Sequence, residues 1–61
     1  MKHEKELIEE VLRLVREMII LSDEGHAAAE DDGCRLLYSI LQDCAYRIKM
    51  EAEQARKRST D

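Results

Sequence analysis

LIEEVLRLVREMIIL, residues Leu7–Leu21, and CRLLYSILQDCAYRI, residues Cys34–Ile48, are the two stretches whose reading decides the fold. In the first, Leu7, Val11, Leu14, Met18 and Leu21 recur at steps of four and three, the spacing of one face of an α-helix. A second row, Ile8, Leu12, Val15 and Ile19, runs beside it with the same steps. At about 100° per residue these two rows cover roughly half the helix circumference. Glu6, Glu9, Glu10, Arg13, Arg16 and Glu17 fill the other half, and Ile20 alone falls among them. In the second stretch Leu37, Leu41, Cys44 and Ile48 form the seam. Ile40 flanks it on one side, Tyr38 and Ala45 on the other, and Ala52 and Ala55 carry the face onward with small residues.

Between the two patterns lies SDEGHAAAEDDG, residues 22–33, acidic and glycine-bearing. Twelve structureless residues exceed the two to eight that join most bundle helices. Two readings compete. Gly25 ends the first helix and Ala27-Ala28-Ala29 begin the second, with Gly33 tolerated inside it; or Asp31 or Asp32 caps a second helix that starts near Gly33. The high helix propensity of alanine and the shorter loop favour the early start. The expected layout is a single domain with a first helix over residues 4–22 and an acidic turn over 23–26. A second helix over 27–57 and a frayed tail over 58–61 complete it.

The composition agrees with this reading. There is no Pro, Phe or Trp and there are only two Gly, which suits a chain that is mostly helix. Charged residues make up 39% of the sequence, so the apolar faces sit in a chain able to remain in solution. The longest unbroken apolar stretch is Met18-Ile19-Ile20-Leu21, far below the roughly 18 residues of a membrane span. The opening Met1-Lys2-His3-Glu4-Lys5-Glu6 leads into an amphipathic pattern rather than a signal-peptide core, so the expected location is cytoplasmic.

Sixty-one residues bury only about 60% of the surface that the unfolded chain exposes, and a lone hairpin is marginal. Cys34 and Cys44 are too few for a disulfide framework. Two helices packed only on each other need a narrow apolar stripe, whereas the first helix has a wide one. The expected architecture is therefore an all-α antiparallel two-helix hairpin that dimerises into a four-helix bundle. Leu7 and Leu37 head the rows expected inside the hairpin. Ile8, Leu12, Val15, Ile19, Tyr38 and Ala45 are the flanks expected at the dimer interface. A second copy is the expected partner, and a hetero-partner supplying the missing helices satisfies the same physics.

The net charge of −4 is uneven. Residues 22–33 carry five acidic side chains and no Lys or Arg, while residues 34–61 carry six basic and four acidic. This balance disfavours nucleic-acid binding by the chain as a whole. Arg56, Lys57 and Arg58 form a local basic end, and Tyr46 lies near Arg47 and Lys49 on the side away from the seam. Those four residues, Tyr46, Arg56, Lys57 and Arg58, are the candidate partner surface, reinforced by Leu36 and Met50 off the seam.

Cys34 and Cys44 lie about 15 Å apart along one helix, too far for an intrahelical disulfide, and both are expected in the core as small apolar residues. With the early helix start, His26, Glu30 and Cys34 share one face at four-residue spacing and are candidate metal ligands. Glu4, Glu6, Glu9 and Glu10 fall on the polar face and no Glu-x-x-His occurs, which excludes a di-iron carboxylate site. No phosphate loop, nucleophile elbow or triad is present, so neither enzyme activity, a cofactor nor a small-molecule substrate is expected. The expected role is a non-enzymatic, self-associating interaction or regulatory module. The alternatives are nucleic-acid binding through the basic end of the second helix and metal binding at His26, Glu30 and Cys34.

Overall fold

The computed structural model of the chain describes residues 3–59 and consists of two α-helices, α1 (Glu4–Ala28) and α2 (Asp32–Ser59). They fold back on each other as an antiparallel hairpin about 47 Å long in its Cα extent. No strand occurs among the described residues.

The helix boundaries resolve the competition over the acidic stretch. α1 continues through Gly25, His26, Ala27 and Ala28, so the turn is Ala29-Glu30-Asp31 rather than residues 23–26, and α2 starts at Asp32 rather than Ala27. The physical reason is the cap. The Asp31 carboxylate accepts a hydrogen bond from the Cys34 backbone N–H at 2.8 Å, and the Asp31 carbonyl accepts from the Arg35 N–H at 3.1 Å. A side-chain cap three residues ahead of the bonded amide defines a helix start, whereas high alanine propensity can prolong a helix as readily as begin one. α1 ends where Ala29 turns extended, with φ −65° and ψ 133°. At the far end α2 takes in Arg58 and Ser59, which were expected to fray; Thr60 and Asp61 of that tail lie outside the described residues.

Polar pairs among the described residues join the helices. Arg56 Nη1 donates to Glu9 Oε1 at 3.4 Å, Gln42 Nε2 donates to Asp23 Oδ1 at 3.3 Å, and His26 Nε2 and Ser39 Oγ share a hydrogen bond at 3.3 Å. Fourteen residues separate Glu9 from Asp23 on α1 and fourteen separate Arg56 from Gln42 on α2. Three separate Asp23 from His26, and three separate Gln42 from Ser39. Equal steps in opposite directions keep one register from the open end to the turn.

The seam between the helices is built of small residues. Val15, Ser22, Ala45 and Ala52 are the buried positions, with exposures of 2%, 1%, 0% and 8%. Ser22 satisfies its hydroxyl within its own helix by donating to the Ile19 carbonyl at 2.8 Å, so it occupies the seam without demanding a partner from α2. Gly25 has a specific role there. A Cβ at this position would run into the Tyr38 ring at Cδ1, Cε1 and Cζ, so the missing side chain is what seats the ring. A glycine inside a helix costs about 1 kcal/mol relative to alanine, and here the packed tyrosine offsets it.

Candidate interaction surface

The rotation of each helix about its axis decides which apolar row faces inward, and it differs from expectation. Val15 and Ala45 are buried inside the single hairpin, and Ile8, Leu12, Ile19 and Tyr38 are half-buried along the same seam. These residues, assigned from sequence to the dimer interface, are therefore committed largely to the contact between α1 and α2. The rows assigned to the hairpin core lie outside. Leu7, Val11, Leu14 and Leu21 on α1 are exposed, as are Leu37, Ile40 and Ile48 on α2, with Leu14 at 59% and Leu37 at 58%. Met18 and Leu41 are half-buried between the two sets.

The physical cause is a pair of constraints that periodicity does not register. Small side chains at Ser22, Ala45 and Ala52 allow close approach of the backbones only along their own row. The pairs Glu9–Arg56, Asp23–Gln42 and His26–Ser39 require their row to be within reach as well. Both sets turn the leucine row away from the seam.

At 100° per residue from Val15 and Ala45, the displaced rows of the two helices fall on one side of the hairpin. A shallow groove on that side is lined by Ile8, Val11, Ile48, Glu51, Ala52, Ala55 and Arg58. The opposite side holds a second groove lined by Leu12, Arg16, Ile19, Ile20, Lys49, Glu53 and Arg56. One side is thus a long aliphatic surface with Glu51 and Arg58 at its rim. The other mixes aliphatic groups with charge and contains the polar pairs. Contiguous aliphatic exposure is the usual mark of a contact surface, which makes this side the candidate.

The remaining predicted residues are dispersed. Tyr46 is exposed, and Lys49 Nζ lies 5.9 Å from its ring centroid, a cation–π contact within α2. Arg56 is drawn into the fold through Glu9, while Lys57 and Arg58 are exposed in the last turn. Leu36 and Met50 are exposed as well.

His26, Glu30 and Cys34 do not share a helix face: His26 is on α1, Glu30 in the turn and Cys34 in the first turn of α2. His26 pairs with Ser39, and the Cys34 thiol lies 3.8 Å from Asp31 Oδ2. Among the described residues no group of three or more His, Cys, Asp and Glu side chains converges as a metal site. Cys34 and Cys44, expected in the core, are both free and exposed in the single hairpin, Cys44 on the aliphatic side.

The rows that the spacing alone places in the core and the structure leaves exposed are the leucine rows. The signal that locates them is the set of small residues Ser22, Ala45 and Ala52 at seam positions, which identifies the closest approach of the helices and leaves the larger rows outside it. Among the described residues no helix is long and apolar enough to cross a membrane. Compared with protein-family models, curated proteins and solved structures, the chain finds no match in any of the three.

Proposed function

We propose that this chain is a small, non-enzymatic helical module that self-associates, two hairpins closing into a four-helix bundle, and that it acts through protein contact rather than catalysis. The observation that carries the reading is the aliphatic side formed by Leu7, Val11, Leu14 and Leu21 with Leu37, Ile40 and Ile48. Covering the exposed half of one such side chain contributes about 1 kcal/mol, so seven on each of two protomers make a gross term large enough to offset the entropy of association.

The area supports a second copy as the occupant. A folded monomer of 7.1 kDa exposes about 4,100 Å² by the usual mass scaling, whereas this hairpin exposes 5026 Å². The excess of about 900 Å² is close to the roughly 800 Å² that each partner buries in a standard interface.

Sedimentation equilibrium of the purified protein at micromolar concentration tests the reading, and a mass of twice 7.1 kDa is expected. A compact monomer across the micromolar range would overturn self-association and leave the aliphatic side to a different protein.

A further inference from the structure

We infer that the second copy docks head to tail on the aliphatic side, each acidic turn lying beside the open end of its partner rather than beside the partner's turn. The inference rests on the self-association proposed above and adds its geometry. A two-fold axis can bring these surfaces together in two ways. With the axis parallel to the helices both turns meet at one end; with the axis across them the turns lie at opposite ends. Every neighbouring pair of helices is antiparallel in both, so helix packing does not choose between them.

Charge does. Residues 22–33, which span the last helical turns of α1, the loop and the start of α2, carry Asp23, Glu24, Glu30, Asp31 and Asp32 and no Lys or Arg. A parallel pair would set two such ends, each of charge −5, side by side at the end of one bundle. The open end is different. Its residues 3–10 and 51–59 set Lys5, Arg56, Lys57 and Arg58 against Glu4, Glu6, Glu9, Glu10, Glu51 and Glu53, a net −2 against the turn's −5. Pairing unlike ends therefore carries less repulsion than pairing like ends, and Arg58 lines the rim of the aliphatic groove with Val11 and Ile48. Head-to-tail docking separates the acidic turns by most of the hairpin's length and brings each within reach of the partner's Arg58. That separation far exceeds the Debye length of about 8 Å at physiological salt.

Geometry permits it. The aliphatic side runs from Leu7 near the open end to Leu37 near the turn, and its midpoint falls at the level of Met18 and Ile48 by the register of the polar pairs. A crossing two-fold axis at that level superimposes the surface on itself from end to end.

The test is the distance between nitroxide labels on Ala29→Cys in the background Cys34→Ser and Cys44→Ser, measured by pulsed dipolar spectroscopy with sedimentation on the same sample. At 1.5 Å rise per residue the head-to-tail dimer places the two labels about 35 Å apart. Parallel docking, with helix axes about 10 Å apart, brings them under roughly 20 Å. A dimeric mass with the short distance would overturn the orientation and leave self-association standing. A monomeric mass with no dipolar coupling would overturn both. In a second arm, Lys57→Glu with Arg58→Glu is expected to raise the dimer dissociation constant about tenfold at low salt and under threefold in 1 M salt. An unchanged constant at low salt would overturn the role of the basic end.

Discussion

Along one side of the hairpin Glu9, Asp23 and His26 reach across to Arg56, Gln42 and Ser39, while along the other Leu7, Val11, Leu14 and Leu21 stand beside Leu37, Ile40 and Ile48. The first side is joined within one chain by these pairs, and the small residues of the seam lie beside them. The second leaves large aliphatic side chains exposed, and under the proposed self-association it is the unfinished one. The difference teaches that these sequences separate two tasks. Small and polar residues set the register of the hairpin, and large aliphatic residues stay exposed on it.

The comparison breaks most completely if a charge is placed on the unfinished side. Leu14→Lys is expected to raise the dimer dissociation constant by at least about 100-fold, since two ammonium groups would be buried per dimer. Sedimentation velocity across a dilution series reads this directly. An equal loss from Ile20→Lys, on the other side, would erase the distinction between the two.

The seam is the next largest target. Ala45→Leu inserts three carbons at a position with 0% exposure and is expected to destabilise the fold by about 1–3 kcal/mol in urea denaturation. Gly25→Ala is expected to cost about 1–2 kcal/mol despite the better helix propensity of alanine, because the new Cβ displaces the Tyr38 ring. Combining it with Tyr38→Ala should make the glycine change neutral or favourable, and additive losses in that double-mutant cycle would remove the ring contact as the cause.

Asp31→Ala should cost about 1 kcal/mol through loss of the α2 cap, visible as a lower urea midpoint with unchanged slope. The smallest effect belongs to Glu9 and Arg56. Both side chains are more than two-fifths exposed, so their coupling in a double-mutant cycle is expected near 0.5 kcal/mol and should fade with salt.

Much of this architecture is legible in the sequence. The two rows on the first helix, the flanked seam on the second, the absence of proline and the acidic connection identify a helical hairpin with surplus apolar surface. What was misread was the use of those rows. Two rows side by side on one helix are equivalent to a periodicity argument, and larger side chains draw the assignment to the core. The seam instead follows Ser22, Ala45 and Ala52, whose value lies in what they lack. The turn was misplaced for a related reason: alanines raise helix propensity without marking a direction, and the marker was the Asp31 carboxylate bonded to the Cys34 amide. The metal candidate failed with it, since the shared face of His26, Glu30 and Cys34 depended on a helix that does not start there.

The sequence by itself determined the number of helices, their amphipathic character and an apolar surface too broad for one hairpin, because each of these follows from local spacing at 3.6 residues per turn. Only the tertiary structure decided which face is spent on the hairpin and which remains exposed. That choice depends on how closely two backbones can approach and on which polar groups meet across the gap, and neither exists until both helices are in place.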